Sequence, residues 1–287
     1  MANIPVRHIN SAGKEPRFSE SFSIRDVHDL LGEGDMVQEL HRHDFFYVLA
    51  LEKGKGKHEI DFTTHHVGDR CIFLMRPGQV HQLTLRAGST GFLMAFKADF
   101  YYTNGALSKN LLRKATNKCL YQANDRKFRR LSSILSYIFH EYTHKLERYQ
   151  EVIKANLDIF FIELSRSRQN NNRQSARGNS YMQERFDEFL ELLETNIYKH
   201  KQVSEYADML NLSGYQLNAI TKALVGKTCS GVINEQIVLE SKRRLLATTG
   251  QVSQIACQLG YEDVSYFIRF FRKHTGYSPE AFRHNFK

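Results

Sequence analysis

Residues 203–232 read VSEYADMLNLSGYQLNAITKALVGKTCSGV, and residues 252–282 read VSQIACQLGYEDVSYFIRFFRKHTGYSPEAF. The two stretches align at an offset of 49 positions, with Val203 matching Val252, until one residue is gained in the second. From there the offset is 50, so that Leu217 matches Phe267. An internal repeat of this length is typical of a duplicated supersecondary unit.

Each copy has the residue pattern of a helix-turn-helix, in which a short helix, a tight turn and a second helix follow one another. A hydroxyl caps a helix N-terminus, a small residue lets two helices cross closely, and asparagine or glycine tolerates the left-handed conformation of a tight turn. The paired positions are the first cap (Ser204, Ser253), the crossing (Ala207, Ala256), the helix end (Leu210, Leu259), the turn (Asn211, Gly260), the corner (Leu212, Tyr261) and the second cap (Ser213, Asp263).

The second helix of each copy is predicted to bury one face and expose the other. The buried positions are Leu217, Ile220 and Leu224 in the first copy and Phe267, Phe270 and Phe271 in the second. Ile233, Ile237, Ser241 and Leu245 recur every four residues between the copies, which predicts one long helix holding the units apart. Two units so joined fit successive major-groove segments of duplex DNA, roughly 34 Å apart.

The exposed side chains of these second helices are the candidate DNA contacts. Asparagine can pair with adenine, arginine with guanine, and valine can touch a thymine methyl, whereas lysine and arginine also bind phosphates. The candidates are Tyr215, Gln216, Asn218, Ala219, Asp263, Val264, Ser265 and Arg269 at the bases, with Lys222, Lys227, Arg243, Arg272 and Lys273 at the phosphates. The alternative is a plain helical bundle with a solvated basic face, and two in-register copies argue against it.

Residues from about 186 to 287 resemble the DNA-binding domain of the AraC/XylS family of bacterial transcription regulators, most clearly in the string SQIACQLGYEDVSYFIRFFRKHTGYSPEAFR at 253–283. The resemblance implies a sequence-specific regulator that binds double-stranded promoter DNA, with RNA polymerase as a further partner. It places Tyr215, Asn218 and Ala219, and in the second unit Val264, Ser265 and Arg269, at base-reading positions. Ala219 cannot donate a hydrogen bond where the repeat has Arg269, so the second unit is expected to discriminate more.

The stretch 168–180, RQNNNRQSARGNS, separates this region from the rest of the chain. Alanine is its only apolar residue, so it cannot bury enough surface to order itself, and it is predicted to be a flexible linker. Four segments follow: a sensing barrel at 1–104, a helical dimerisation segment at 105–167, the linker at 168–180, and the DNA-binding domain at 181–287. The last opens with a lead-in helix through Phe186, Phe189, Leu190 and Leu193.

Short apolar runs with glycine-bearing turns between them, from Met36 to Phe100, predict an antiparallel sandwich or barrel. The predicted strands are 45–51, 58–62, 71–75, 80–85 and 92–96, with turns at 67–69 and at His65–His66. The fold class is thus two-domain, with an all-β barrel plus helices ahead of an all-α domain that holds two helix-turn-helix units.

Histidines flank the predicted strands, with His41 and His43 before the first long strand and His81 after a later one. Three imidazoles from such strands could converge on a metal. The pattern resembles a cupin barrel, but Tyr47 stands where metal-binding cupins have a glutamate, so we favour histidines that line a pocket by hydrogen bonding and assign no metal or cofactor. The candidate effector-binding residues are His41, His43, Tyr47, Met75 and His81, and the effector is expected to be a small molecule of unknown identity.

Two amphipathic helices are predicted at 131–149 and 153–164, because apolar residues recur there at steps of three and four. Such stripes pack either on the chain's own barrel or on a second copy, and the sequence leaves both open. We expect a homodimer.

Composition limits the remaining classes of function. The net charge of +9 comes from the centre, because 105–180 carry 15 Lys and Arg against 6 Asp and Glu, whereas 181–287 carry 13 against 12. A near-neutral C-terminal domain argues against DNA binding without sequence preference. Absence of a long apolar run or a signal core predicts no membrane contact, and four scattered cysteines fit a reducing cytoplasm. The sequence therefore predicts a regulator and not an enzyme, with a metal-dependent cupin enzyme as the alternative.

Overall fold

The computed structural model describes residues 5–9, 21–102, 106–166 and 178–286. By their contacts the described residues form two compact units, one within 5–166 and the other within 178–286. The predicted linker lies outside the described residues, except that its last three residues open a helix at Gly178 instead of continuing as coil. In the part of the chain that is described, no helix combines the length and hydropathy needed to cross a bilayer.

The first unit contains ten strands and five helices within its described residues. The strands are β1 Val6–Arg7, β2 Phe22–Asp26, β3 Met36–His43, β4 Phe46–Lys53, β5 Gly56–Ile60, β6 Thr63–Val67, β7 Cys71–Met75, β8 Val80–Leu85, β9 Thr90–Phe96 and β10 Leu120–Gln122. The helices are α1 Val27–Leu31, α2 Ala98–Tyr101, α3 Ala106–Thr116, α4 Asp125–His144 and α5 Tyr149–Arg166.

The strands form two five-stranded sheets, which confirms the sheet-rich prediction for this unit. One sheet has the order β1-β3-β8-β5-β6 and the other β10-β7-β4-β9-β2. Among the described strands, every pairing is antiparallel except that of β1 with β3.

Strand β4 shows why its sequence is continuously apolar. Phe46, Val48 and Ala50 belong to a core that includes α4 and α5, whereas the alternate residues Tyr47 and Leu49 belong to the core of the barrel interior. Successive side chains of a strand point to opposite faces, so a sheet covered on both faces needs apolar residues at every position.

The apolar stripes of α4 and α5 pack on this same sheet. Leu131, Leu135 and Ile138 of α4 share one buried cluster with Leu157 of α5 and Val48 of β4. The stripe is therefore occupied by the chain's own barrel and not by a second copy. A dimer seam, if formed by these helices, must use their other faces, and the dimerisation segment stays a prediction.

Several predicted boundaries in this unit are wrong. His41 and His43 lie within β3 and not before the first long strand. The polar residues of β3 and its register shift between Gln38 and His41 hide the alternation of apolar and polar residues that marks a strand. His65 and His66 lie in strand β6 instead of a turn. The strand predicted at 58–62 ends at Ile60, because Phe62 has a φ of 67°.

The two helices of this layer also divide differently from the prediction. Helix α4 ends at His144, since Lys145 adopts the left-handed conformation with a φ of 49°. Tyr149, which the periodicity assigns to the first helix, begins α5.

The second unit is helical in its described residues, as predicted. Its helices are α6 Gly178–Asn196, α7 Val203–Met209, α8 Gly214–Val225, α9 Cys229–Ala247, α10 Val252–Gln258, α11 Val264–Thr275 and α12 Pro279–Phe286. Helix α9 is the predicted long connector, and its residues Ile233, Ile237, Ser241 and Leu245 are all buried. Helix α6 packs against α7, α8 and α9, while α12 packs against α9 and α11.

Candidate nucleic-acid interface and barrel site

The turns of the two helix-turn-helix units, α7–α8 and α10–α11, have the predicted conformation. Asn211 has a φ of 53° and Gly260 a φ of 74°. The second helices are capped as predicted, because the Ser213 side chain accepts a hydrogen bond from the Gln216 amide and the Asp263 side chain accepts one from the Ser265 amide.

The caps of the first helices differ from the prediction. The N-caps are Gln202 and Gln251 and not the serines Ser204 and Ser253, which lie inside the first turns. The side chain three residues on accepts a hydrogen bond from each cap amide: Glu205 from Gln202 at 2.8 Å, and Gln254 from Gln251 at 3.0 Å. A carboxylate or amide three residues after the cap can accept from a free N–H at the helix start, which is the same kind of service that a hydroxyl at the cap position provides.

The inner faces of α8 and α11 fix the two helices in the domain. Leu217 and Ile220 of α8 are buried, as are Phe267 and Phe271 of α11. The opposite faces are exposed at both N-terminal ends. Neither leading end is occluded within this unit, so both helices can present side chains to a groove.

On α8, the exposed end carries few free polar groups. Tyr215 is 84% exposed, but Gln216 Oε1 accepts a hydrogen bond from the Ser213 amide at 2.8 Å. Asn218 Oδ1 accepts one from the Cys229 amide at the start of α9, at 3.0 Å, and the residue is half-buried. The predicted adenine-reading amide is thus turned toward the scaffold. Ala219 and Lys222 are exposed.

On α11, the exposed end carries a charged pair. Asp263 Oδ2 lies 3.7 Å from Arg269 Nη2, and the Arg269 side chain is 69% exposed. Ser265, Arg272 and Lys273 are also exposed, while Val264 is half-buried. At this distance the pair is electrostatic and not a hydrogen bond, so the guanidinium N–H groups are left for another acceptor.

Two of the predicted phosphate contacts are engaged elsewhere. Arg243 is only 15% exposed and pairs with Glu240, and Lys227 pairs with Glu235 at 2.7 Å. Both carboxylate partners lie on α9, so these two cations are already paired within the domain.

A contact between the two helix-turn-helix units was not predicted from the sequence. Lys201, which precedes α7, donates from Nζ to the carbonyl of Gly260 at 3.0 Å and lies 4.9 Å from the centre of the Tyr261 ring. A Cβ on Gly260 would lie 1.9 Å from the carbonyl oxygen of Tyr198. The turn of the second unit is therefore seated directly against the chain that leads into the first.

The five predicted effector residues lie together inside the barrel. His41, His43, Tyr47, Met75 and His81 are all buried. His41 is the register partner of His81, and Tyr47 is the partner of Met75 in the facing sheet. The ring centres of His41 and His81 are 4.2 Å apart, and that of Tyr47 is 5.5 Å from that of His81.

His58 completes this cluster, and it was missed. It lies on β5, its side chain is fully buried, and its Nε2 is 2.9 Å from Nδ1 of His81. Its only sequence signal is its position two residues before buried Ile60, which puts both side chains on one face.

Burial keeps these imidazoles neutral. Desolvation lowers the pKa of His41 to about 4 and the pKa values of His43 and His58 to about 3, and it lowers the pKa of His81 furthest. Neighbouring histidines lower the pKa values of His43, His58 and His81 further, and the positive charge of Arg7 contributes at His41, His43 and His81. At neutral pH the cluster presents lone pairs and single N–H donors.

Two family models match the chain. One, described as a helix-turn-helix domain, matches residues 206–285, and the other, an AraC-like ligand binding domain, matches residues 33–157. One match falls within each compact unit of the chain. Together they support a regulator over the metal-dependent cupin enzyme that the sequence left as an alternative.

Similar proteins include full-length regulators. The uncharacterized HTH-type transcriptional regulator YfiF of Bacillus subtilis (strain 168) is 22% identical over 274 residues, which cover 86% of this chain and 79% of that protein. The transcriptional activator RhaS of Pectobacterium atrosepticum is 23% identical over 249 residues, 85% of this chain and 87% of that one. The structure of unsaturated fatty acid bound ToxT from Vibrio cholerae is 15% identical, covers 96% of both chains and has a TM-score of 0.41. The chain thus belongs to the AraC family of DNA-binding transcription regulators, with a ligand-binding domain ahead of its helix-turn-helix domain.

Proposed function

We propose that this regulator reads promoter DNA by placing the N-terminal ends of α8 and α11 in successive major-groove segments. The observation that carries the proposal is that both helices are locked by buried inner faces while their capped leading ends stay exposed. A recognition helix needs this arrangement, because a groove contact has to be made by side chains whose backbone does not move.

Within this interface the second unit supplies the main base contact. Arg269, backed by Asp263, is suited to the O6 and N7 acceptors of a guanine, and exposed Ser265 and half-buried Val264 flank it. In the first unit, contact surface comes from Tyr215, Gln216 and Ala219. These side chains discriminate little between bases by hydrogen bonding. Asn218 acts in our proposal by holding the start of α9.

Phosphates are bound by a separate set of charges. Lys222 of α8 and Arg272 and Lys273 of α11 are exposed on the same helices. Such contacts fix the register of the protein on the duplex and add affinity that is independent of sequence and falls with salt.

The barrel, in this proposal, is the sensor. Its effector binds among His41, His43, Tyr47, Met75 and His81, where polar atoms are buried in an otherwise apolar interior. An effector changes DNA binding only if it binds one state of the protein more tightly than another. We further propose that a homodimer is the acting form, that it works in the cytoplasm, and that RNA polymerase is its partner at the promoter.

The test measures DNA binding by the full chain. Fluorescence anisotropy with fragments from upstream of the regulator's own gene, and with scrambled fragments, gives specific and non-specific affinities. We expect Arg269→Ala to cost about 1–3 kcal/mol of specific binding and to relax the preference at one base pair.

Arg272→Ala is the matched control, since it removes the same type of side chain from an exposed position three residues further along the same helix. It should weaken specific and scrambled DNA by similar factors. If Arg269→Ala leaves the ratio of the two affinities unchanged, the proposed base contact is wrong.

A further inference from the structure

Three histidines of the barrel direct ring nitrogens at one point. His41 and His43 are two residues apart on β3, and His81 lies beside them on β8. One ring nitrogen from each lies within 4.8 Å of the others. Nitrogens bound to a single zinc-like ion, each about 2.0–2.1 Å from it, are at most about 4.2 Å apart, so a small rotation of the rings would let all three share one ion.

The hydrogen bonds of the rings show which nitrogen of His41 is free and which nitrogens of His43 and His81 meet. Nδ1 of His41 is 2.6 Å from the carbonyl oxygen of Glu39 and must donate to it, because a carbonyl only accepts. Nε2 of the neutral ring therefore carries a lone pair, and this atom is buried and has no hydrogen-bond partner among the described residues. Nε2 of His43 and Nε2 of His81 face each other at 2.7 Å, so without an ion one of them carries the proton of a hydrogen bond, which a bound ion would displace.

His58 occupies the position of an orienting residue behind this set. Its Nε2 lies 2.9 Å from Nδ1 of His81, so that His81 can donate Nδ1–H and keep its Nε2 lone pair toward His43. Histidines that bind metals characteristically donate their second ring nitrogen to such a partner, which fixes the tautomer and the ring orientation.

The surroundings of the histidines are aromatic and contribute one oxygen. The ring of Phe45 packs at 4.3 Å on His43, and that of Phe73 packs at 4.7 Å on His58. The Tyr47 ring stacks on His43 at 5.5 Å, and its buried hydroxyl has no hydrogen-bond partner among the described residues.

We propose that His41, His43 and His81 bind one divalent first-row transition-metal ion through their Nε2 atoms, with His58 as a positioning residue and the Tyr47 hydroxyl at the fourth coordination position. Imidazole ligands suit zinc, cobalt, nickel, copper and iron, whereas magnesium and calcium require oxygen ligands. This inference rests on the proposed sensor role of the barrel and gives its effector a chemical class.

The experiment uses cobalt(II) as the probe. The untagged full chain is stripped with a chelator, dialysed and titrated with cobalt(II), and visible absorption is followed together with elemental analysis of the gel-filtered protein. One cobalt per chain with strong ligand-field bands is expected, because a four-coordinate ion absorbs more strongly than the octahedral aqueous one. Absence of stoichiometric cobalt overturns the proposal.

Variants then assign the ligands. His41→Gln and His81→Gln should each weaken cobalt binding about 100-fold or more, and His58→Gln about 10–100-fold without change in stoichiometry. His66→Gln is the matched control, since His66 is exposed on β6 of the same sheet, and it should bind as the wild type does. Cobalt that binds equally well to His41→Gln, His81→Gln and His66→Gln overturns the site.

DNA binding by the same samples serves as the check on folding and on the proposed function. A variant that binds scrambled DNA as the wild type does but has lost cobalt supports the ligand assignment. A chain that binds promoter DNA but no cobalt contradicts the metal site alone. A chain that binds cobalt but no DNA supports the metal site and contradicts the proposed function.

Discussion

The two helix-turn-helix units share a backbone and differ in what they do with their polar side chains. In the first unit, Gln216 and Asn218 bond to the scaffold, and Ala219 has nothing to donate. In the second, Asp263 caps the helix and also holds Arg269, which stays exposed. The duplication thus preserves the exposed leading ends of the second helices, while the side chains that we propose discriminate between bases are concentrated in one copy.

The turns of the two helix-turn-helix units also differ in how tightly they are packed. Asn211 takes the left-handed conformation in an exposed turn, whereas Gly260 takes it against the carbonyl of Tyr198. The unit with the charged reader is also the one whose turn is packed tightly. A contact that discriminates between bases requires more exact placement than one that only fills the groove.

The largest expected effect comes from the turns. Gly260→Ala places a methyl group 1.9 Å from the Tyr198 carbonyl oxygen and also strains a φ of 74°, so we expect a loss of about 3 kcal/mol or more in the free energy of unfolding. Asn211→Ala, the matched change in the first unit, should cost about 1 kcal/mol, since only the left-handed conformation is penalised. Urea unfolding followed by far-UV circular dichroism measures both. Equal losses would mean that the two turns are equivalent.

The next effect tests whether Asn218 belongs to the scaffold. Asn218→Ala removes the acceptor of the Cys229 amide, so we expect about 1 kcal/mol of lost stability. The ratio of specific to scrambled DNA affinity should stay as in the wild type, in contrast to Arg269→Ala. A change in preference at one base pair on Asn218→Ala would restore the base-reading role predicted from the sequence.

Charge on α8 is expected to act without sequence preference. Lys222→Ala should weaken all DNA fragments by a similar factor and reduce the slope of log affinity against log salt by about 0.9, the value for one phosphate contact. Lys199→Ala, at an exposed position outside the two recognition helices, is the control. Anisotropy titrations at several salt concentrations give the slopes, and identical slopes for Lys222→Ala and wild type would exclude the phosphate contact.

The smallest effect distinguishes the two first-helix caps. Hydrogen bonds from His200 and from the Gln202 amide hold the pKa of Glu205 below its usual value. A carboxyl with a lowered pKa stabilises the folded state above the pKa it has when unfolded, and this contribution is lost as the pH falls through the folded value. Protection of α7 amides against hydrogen exchange should therefore decline slightly below about pH 4.5, whereas α10, where the neutral Gln254 accepts from the cap amide, should not respond in this way.

Glu205→Gln gives the first unit the cap of the second and should abolish that decline. Hydrogen exchange with mass spectrometry on peptides from α7 and α10 provides the comparison within one molecule. The same acid-dependent loss of protection in wild type and Glu205→Gln would show that another group is responsible.

What the sequence predicts correctly is mostly local. The left-handed turn residues, the caps Ser213 and Asp263, and the buried stripe of α9 follow from preferences over a few neighbouring residues. They recur in both copies, which makes the pattern visible. The lead-in helix and the sheet-rich first unit follow in the same way from periodicity.

What the sequence does not give depends on distant partners. The bond from Asn218 to the start of α9 and the burial of Arg243 beside Glu240 arise from how helices meet. Strand β3 was missed because its inward residues are histidines and its register shifts, so apolar alternation is absent. His58 joins the barrel cluster only because β5 pairs with β8.

The bond from Lys201 to Gly260 has a consequence for the nucleic acid. This contact limits how far the two recognition helices can change their separation or angle, so in the proposed complex we expect a mismatch with straight duplex to be absorbed partly by curvature or altered twist of the DNA. Base pairs between the two proposed contact segments are then expected to influence affinity through their stiffness. Easily kinked pyrimidine–purine steps in that interval should favour binding, and rigid A-tracts should oppose it, although no side chain touches them.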